Sequence, residues 1–163
     1  MNPKPTVYLE TTIASYLTAR PSSNLIVAGE QEISRRWWEV RRERFHLFVS
    51  ELVTSEAGRG DLAASKRRLD LIQDIAHLEI DESVLALTRK LLEGGDFPER
   101  SSTDAGHVAV AARHGMDYLL TWNCKHIANA EIIRRVSHII SEAGYYVPVI
   151  CTPRELLGGC ADE

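Results

Sequence analysis

The chain lacks any apolar stretch of the roughly 20 residues needed to span a bilayer, which argues against an integral membrane protein. Its first residues, Met1–Thr6, are polar, include two prolines and lack the apolar core of a signal peptide. Its three cysteines, Cys124, Cys151 and Cys160, are odd in number and have no CxxC spacing. Neither a disulfide framework nor a structural zinc site is therefore expected. Together these absences predict a cytoplasmic protein.

An excess of positive charge is also missing. The chain has 19 Lys and Arg residues against 23 Asp and Glu residues, for a formal net charge of −4. Bulk attraction to nucleic acid is therefore absent. A nucleic-acid enzyme of this charge would need local basic patches, or a bound metal to offset its own acids.

Several catalytic motifs are absent as well. Neither a G-x-G-x-x-G nor a G-x-x-x-x-G-K-[ST] stretch is present, which argues against a nucleotide-cofactor enzyme. There is no G-x-S-x-G elbow and no cysteine with an obvious histidine partner, so a covalent nucleophile has no candidate.

What the chain does have is ordinary globular composition, with 44% apolar and 26% charged residues over 163 positions. This length predicts one domain over residues 1–163, with flexible termini at 1–5 and 159–163. Short apolar runs alternate with helical periodicity, which is typical of βα units around a mostly parallel sheet. The predicted strands are Thr6–Leu9, His46–Val49, His77–Ile80, Tyr118–Thr121 and Val147–Cys151.

Helices are predicted between these strands. They are Thr11–Leu17, Asn24–Arg44, a short helix that Ser50 caps and that carries Glu56, a helix from Asp61 to about Ile75, Glu82–Glu93, Asp104–His114 (with its start at Ser101 or Ser102), Ala130–Ala143, and a final turn at Thr152-Pro153. In the longest helix, Ile26, Ile33, Trp37 and Val40 recur on one face. In the helix after Asp61, an inward face is predicted for Leu62, Leu69 and Ile72.

Acidic residues and one asparagine follow the predicted strands. Glu10, Glu56, Asp104 and Asn123 each lie near the end of a strand or the start of the next helix. In an open α/β sheet, ligands bind in the crevice beyond the carboxyl ends of the strands. Carboxylates that met there would repel one another unless a hard cation lay among them. The pattern therefore predicts a divalent metal and phosphate chemistry.

Glu10 and Glu56 each have a simpler interpretation. Glu10 can cap or charge the first turn of the helix that follows it. Glu56 shares a helical face with Leu52 and Val53, so it is expected to point towards the core. A carboxylate there needs either an inward arginine or a metal.

The other polar residues have structural alternatives too. Asp104 follows Ser101 by three residues and can reach back to this cap. Asn123 can form local hydrogen bonds in a turn, and its amide oxygen can also bind a hard cation. His107, one turn after Asp104, is expected to support the site or to pack rather than to bind the metal.

Four segments in order carry a family resemblance: YLETT, the S-x-x-x-x-x-E spacing over Ser50–Glu56, DAGHVAVAARHG and LLTWN-x-x-H. Together they resemble the PIN-domain family and, more narrowly, the VapC-type toxins of bacterial toxin–antitoxin pairs. The resemblance extends from Val7 to about Leu157. It implies a three-layer α/β/α fold with a central, mostly parallel sheet of four to five strands. It also implies an endoribonuclease that uses Mg²⁺ or Mn²⁺ and leaves a 5′-phosphate and a 3′-hydroxyl.

By motif position, the resemblance makes Glu10, Glu56 and Asp104 the metal-binding and catalytic acids. Asn123 occupies the catalytic position where the family often has a fourth acid. The family's first acid is usually aspartate, and the asparagine removes one negative charge, so one metal ion is expected more readily than two. Glu10 or Asp104 is then the candidate to accept a proton from the attacking water.

Supporting roles fall to Thr12, Thr121 and His107, and direct RNA contact to Lys125 and His126. Basic runs that could follow a phosphate backbone, or could equally be solvated helix faces, are Arg35–Arg44, Lys66–Arg68 and Arg134-Arg135. The expected partners are RNA, an antitoxin protein and a second copy of the chain. Two alternatives stay open: a phosphohydrolase or phosphotransfer domain, and a degenerate PIN-like domain that binds RNA or protein without cleavage.

Overall fold

A computed structural model describes residues 3–98 and 100–158 of the chain, so most of the predicted flexible termini lie outside the described residues. The strands form one sheet in the order β3-β2-β1-β4-β5, and every adjacent pair is parallel. They are β1 (Thr6–Leu9), β2 (His46–Ser50), β3 (Ala76–Leu78), β4 (Tyr118–Leu120) and β5 (Val149–Cys151). The predicted α/β class with a parallel central sheet is confirmed.

The helices in the described residues alternate with these strands. They are α1 (Thr11–Thr18), α2 (Leu25–Val40), α3 (Glu51–Ala57), α4 (Leu62–Ile72), α5 (Glu82–Gly94), α6 (Ser102–Arg113), α7 (Ala130–Glu142) and α8 (Pro153–Leu156). Within residues 3–98 and 100–158, no helix combines the length and the apolar character needed to cross a membrane.

The strand order determines which helices share a face. The chain moves outward from β1 to β2 and β3, and then returns past β1 to β4 and β5. Because parallel crossovers are right-handed, α1–α4 cover one face of the sheet and α5–α7 cover the other. The helix contacts agree, since α1 packs on α2, α3 and α4, whereas α5 packs on α6 and α7. The result is three α/β/α layers, with the order reversing between β1 and β4, where such folds bind ligands.

The two central strands and α6 form the interior. Val7–Leu9 on β1 and Leu119-Leu120 on β4 are at most 2% exposed, as expected for parallel strands covered on both faces. Every residue of α6 from Ala105 to Ala112 is buried. Its small side chains allow close packing, and a Cβ at Gly106 would lie only 2.8 Å from Leu52 Cδ1 on α3. This packing brings the N-terminal end of α6 close to α3.

The predicted inward face of α2 is wrong in part. Trp37 is fully buried, but Ile26 and Val40 are 74% and 52% exposed, and the other buried residues of α2 are Gln31 and Ser34. These polar side chains can be buried because they have partners: Gln31 bonds to the backbone of Ser22 and Arg20, and Ser34 accepts from Trp122 Nε1. Ile26 and Val40 lie at opposite ends of α2, whereas Trp37, on the same face between them, is buried.

Several boundaries also differ from the prediction. The long helix ends at Val40 and is followed by a separate 3-10 turn at Arg42–Arg44. Leu62, the first residue of α4, is 85% exposed, because it lies in the first turn beside the Asp61 cap. β5 begins only after Pro148, which has no N–H to donate to a neighbouring strand.

Candidate functional site

The candidate site lies at the carboxyl edge of the sheet, where β1 and β4 end side by side. Glu10 directly follows β1, and its N–H donates to Leu120 O at 3.0 Å. Thr121 directly follows β4 and is fully buried. Glu10 is itself only 3% exposed, so the chain places a carboxylate inside the protein at the strand ends.

The Glu10 carboxylate is held by three donors from two segments. Thr12 N–H lies 3.2 Å from both carboxylate oxygens, and Oε2 also accepts from Thr12 Oγ1 at 2.5 Å and from Thr121 Oγ1 at 2.7 Å. The capping interpretation is confirmed, because Glu10 is the N-cap of α1. The two threonines predicted to support the site both contact this carboxylate, which satisfies the buried acid.

Glu56, on α3, is partly exposed and has a different partner from the one expected. Its Oε1 accepts from Thr11 Oγ1 at 2.7 Å and lies 2.6 Å from His107 Nε2, so the charge partner is a buried histidine rather than an inward arginine. Burial raises the pKa of Glu56, but the hydrogen bond and charge of His107, with further help from Thr11 and Arg59, outweigh it. The net effect is a pKa below the usual value, which favours the carboxylate form.

His107 belongs to a buried chain of hydrogen bonds. Its Nδ1 lies 2.7 Å from the Tyr8 hydroxyl, which in turn lies 2.7 Å from Ser50 Oγ. Burial raises the pKa of Tyr8 far above its ordinary value, so the phenol is neutral and has one proton to donate. Because the lowered pKa of Glu56 favours its carboxylate form, the contact at Nε2 is an Nε2–H that donates to Glu56. Both ring nitrogens of His107 therefore have partners, in keeping with the predicted supporting role.

Ser50 is the N-cap residue of α3, as predicted, but its side chain makes no capping bond, because its hydroxyl bonds to Tyr8 instead. Sequence reasoning missed Tyr8, Ser50 and Thr11 as participants in the site. The available signal was a tyrosine in the middle of an otherwise apolar buried strand, where its hydroxyl needs a partner.

Asp104 and Asn123 contact each other directly. Asn123 Nδ2 donates to Asp104 Oδ1 at 3.1 Å, while Asn123 Oδ1 accepts from His126 N at 3.0 Å. The turn interpretation of Asn123 is confirmed, since its amide oxygen closes the loop that follows. Its amide nitrogen orients Asp104.

The environment of Asp104 disfavours its charge. Burial raises the pKa of Asp104, and the negative charge of Glu56 raises it further. A hydrogen bond with the Ser101 side chain and the charges of His107 and His126 offset only part of this effect. The net effect is a pKa above the usual aspartate value, so Asp104 holds a proton more strongly than an ordinary aspartate does.

The closest group of possible ligand atoms consists of Glu10, Glu56 and His107, whose atoms all lie within 4.8 Å of one another. Asp104 is outside this group, although the effect of Glu56 on its pKa places the two carboxylates within electrostatic range. Both nitrogens of His107 already have hydrogen-bond partners. The atoms of this group that remain to bind a metal ion are therefore the carboxylate oxygens of Glu10 and Glu56. Hard cations such as Mg²⁺ prefer this donor type, so the donor set fits such an ion.

Basic residues near the site lie in the loop after β4. Lys125 is exposed and His126 is partly buried there, and the charge of His126 acts on Asp104. In the three more distant basic runs, several members have local partners: Arg35 pairs with Glu32, Lys66 with Asp70 and Arg135 with Asp96. These pairs fit the interpretation of the runs as solvated helix faces.

A scan of the chain against known protein families gave no match, and a comparison with curated proteins likewise gave none.

Proposed function

We propose that the protein is a metal-dependent endoribonuclease of the PIN type, with Glu10, Glu56 and Asp104 as the acids that bind Mg²⁺ or Mn²⁺. One observation carries the proposal: Glu10, Glu56 and His107 converge within 4.8 Å at the carboxyl edge, where the strand order reverses. Two carboxylates held this close, with a third in electrostatic range, favour a divalent cation among them.

The chain's own residues would fix this site before substrate arrives. Thr12 and Thr121 hold the Glu10 carboxylate, and His107 holds Glu56. When bound, the divalent cation would supply charge to orient a scissile phosphate and would acidify an attacking water. Supporting hydrogen bonds to ligand carboxylates of this kind are a common feature of metal centres.

Asp104 is the better candidate to accept the proton from the water. Glu10 already accepts from three donors, whereas Asp104 has a raised pKa and is oriented by Asn123. A base whose pKa lies closer to the working pH transfers protons more effectively. The water oxygen forms a bond to phosphorus and the P–O3′ bond breaks. The leaving O3′ takes up a proton from solvent, so the products are a 5′-phosphate and a 3′-hydroxyl. Lys125 and His126 would contact the RNA phosphates.

The proposal extends to a cytoplasmic toxin of a toxin–antitoxin pair, with a homodimer and an antitoxin protein as its partners. Leu25 and Ile26, at the start of α2, are 88% and 74% exposed, and neighbouring exposed apolar side chains of this kind favour a protein contact. Elution from a sizing column at micromolar concentration measures the homodimer, and a monomer volume would contradict it.

The ribonuclease is tested by incubating purified protein with a panel of labelled RNAs, both structured and single-stranded. Reactions contain Mn²⁺, Mg²⁺ or EDTA, and the variants are Asp104→Asn, Glu10→Gln and Glu56→Gln. We expect cleavage by the native protein with either metal, none with EDTA, and a loss of at least about a hundredfold in each variant.

Asp70→Asn is the matched control, because Asp70 is an exposed acid that pairs with Lys66 on the same helix face. It should cleave at the native rate. Cleavage that persists in Asp104→Asn would contradict the assigned acids. If no RNA is cut and no metal stabilises the protein, a degenerate domain that binds without cleaving becomes the better description.

A further inference from the structure

Two aromatic rings lie beside the acidic site. Tyr16 on α1 and Trp122 in the loop after β4 stack with ring planes 13° apart and centroids 6.0 Å apart. Both side chains are partly exposed rather than buried. We refer to Tyr16 and Trp122 as the stacked pair.

The polar edges of both rings are next to residues of α2. Trp122 Nε1–H donates to the buried Ser34 Oγ at 2.7 Å. Burial and the nearby Glu30 charge raise the pKa of Tyr16, so its ring remains a neutral phenol. The bond to Ser34 fixes the orientation of the Trp122 ring, on which the Tyr16 ring stacks.

The stacked pair is connected to the acids through the backbone. Trp122 N–H donates to Thr12 Oγ1 at 2.8 Å, and the same hydroxyl donates to Glu10 Oε2 at 2.5 Å. Two hydrogen bonds thus separate the backbone of Trp122 from the Glu10 carboxylate. The next residue, Asn123, contacts Asp104, so one short segment links the rings to two of the acids.

We propose that the stacked pair is a platform for one unpaired base of an RNA strand, next to the phosphate that the acids act on. This inference rests on the ribonuclease proposed above and names its substrate class: single-stranded segments and loops rather than duplex. Bases in a helix are already stacked and paired, whereas an unpaired base can turn onto an aromatic side chain. A stacked base contributes roughly a five- to hundredfold gain in affinity, and any of the four bases can supply it.

Binding is measured without catalysis, by titrating a labelled single-stranded RNA into the metal-free protein in EDTA. The variants are Tyr16→Leu, which removes the ring, and Tyr16→Phe, which keeps the ring and removes only the hydroxyl. We expect the dissociation constant to rise roughly five- to a hundredfold in Tyr16→Leu and to stay within about twofold of native in Tyr16→Phe. Tyr146→Leu is the control, because Tyr146 is 87% exposed and lies beside β5.

An abasic series locates the stacked base. One base at a time is removed from the RNA, and the native protein should lose affinity most at one position. Tyr16→Leu should lose less affinity at that position than the native protein does, since one of the two rings of the stacked pair is already gone. This non-additivity separates stacking from a general loss of structure, which would leave the abasic effect intact.

The outcomes of the two proposals are distinguishable. Equal affinity of native protein and Tyr16→Leu, equal affinity for duplex and single strand, a flat abasic series, or no RNA binding at all would each overturn the platform. Cleavage that needs metal and Asp104 would still uphold the ribonuclease in the first three cases. Conversely, position-dependent binding that Tyr16→Leu abolishes, without any cleavage in Mn²⁺, would uphold the platform and overturn the ribonuclease.

Discussion

His107 lies in the middle of a hydrogen-bonded chain that begins at Ser50, passes through Tyr8 and ends at Glu56. Each link joins segments far apart in sequence, with separations of 42, 99 and 51 residues. Because the ring and the phenol are both fully buried, neither can exchange its partner for water. The orientation of the Glu56 carboxylate therefore depends on a tyrosine that does not touch it.

This dependence gives the first prediction, for Tyr8→Phe. Loss of the hydroxyl leaves His107 Nδ1 and Ser50 Oγ without their partner, which should lower the free energy of unfolding by about 1–3 kcal/mol. Loss of ring orientation should also weaken Mn²⁺ binding about ten- to a hundredfold. Urea unfolding and calorimetric titration with Mn²⁺ measure the two effects.

Tyr146→Phe provides the matched control, since the same hydroxyl is removed from a tyrosine that is 87% exposed. It should change neither quantity. Native Mn²⁺ affinity in a folded Tyr8→Phe protein would show that the buried chain does not position Glu56.

The second prediction concerns Asp104 in the metal-free protein. Its folded-state pKa is raised, first by burial, so the folded chain binds this proton more tightly than the unfolded chain does. Asp104 therefore destabilises the protein increasingly as the pH rises through that pKa. In EDTA at pH 7, Asp104→Asn should raise the free energy of unfolding by up to about 1 kcal/mol, a modest figure because solvent screens a partly exposed charge.

The pKa of Glu56 is shifted in the opposite direction, so its effect on stability changes with pH in the opposite sense. Burial alone would raise its pKa, but His107 and Thr11 bring the pKa below the usual value. Its contribution to stability is therefore present above the ordinary glutamate pKa and is lost as the pH falls through the lowered pKa.

The gain in stability from Asp104→Asn should vanish in acid, where Asp104 is already protonated. Unfolding curves from pH 4 to 8 test this, and a gain that persists at the acid end would contradict it.

At the scale of elements, the contact between α6 and α3 positions two of the acids, Asp104 on α6 and Glu56 on α3. Gly106 on α6 approaches Leu52 on α3 so closely that an added Cβ would lie 2.8 Å from Leu52 Cδ1. The neighbouring residue His107 contacts Glu56 on the same α3. Any displacement between these helices therefore changes the distance between the carboxylate and the histidine that holds it.

The third prediction compares two glycine substitutions. Gly106→Ala gains about 1 kcal/mol of helix propensity but must displace Leu52, for a net loss of about 1 kcal/mol and weaker Mn²⁺ binding. Gly29→Ala, on α2, meets nothing within 4 Å and should raise the free energy of unfolding by roughly 0.5–1 kcal/mol. Equal gains in both variants, measured by urea unfolding, would show that the helix contact is not tight.

The elements differ in how far sequence could predict them. β1 and the Asp61 cap were predicted correctly, because a buried apolar run and an aspartate at a helix start are local signals. The buried face of α2 was not, because Gln31 and Ser34 are buried only through partners elsewhere in the chain. Apolar periodicity does not reveal such partners.

The contacts in the candidate site also differ in how far sequence could predict them. Glu10 and Thr121 could be placed together from sequence, since parallel strands bring their carboxyl ends to one edge. The contact of Thr11 with Glu56 could not, because it joins residues 45 positions apart through the packing of α1 on α3. Which nitrogen or oxygen of Asn123 faces Asp104 likewise depends on the loop conformation.

On the scale of the whole molecule, the site joins both helical layers to the sheet. Glu10 starts α1 and Glu56 lies on α3 in one layer, while Asp104 lies on α6 in the other. A cation bound by all three would therefore tie the two layers together in the folded state alone. Such a ligand stabilises the native protein by mass action.

The final prediction is a metal-dependent rise in melting temperature whose size depends on pH. With Mn²⁺ at about a hundred times its dissociation constant, the gain is about 2.7 kcal/mol, or roughly 5–10 °C for a chain of this size. Ligand carboxylates must be ionised to bind, so the rise should shrink as the pH falls. Because burial raises the pKa of Asp104, the loss of its charge should contribute to this decline.

The comparison that decides this prediction is Asp104→Asn, melted with Mn²⁺ and with EDTA across the same pH range. Its rise should be smaller at pH 7 and should decline less as the pH falls, because one titrating carboxylate of the site is absent. Asp70→Asn should follow the native curve, since Asp70 is exposed on α4 and pairs with Lys66. If Mn²⁺ raised the melting temperature of Asp104→Asn as much as that of the native protein, the cation would bind to Glu10 and Glu56 without a ligand from α6.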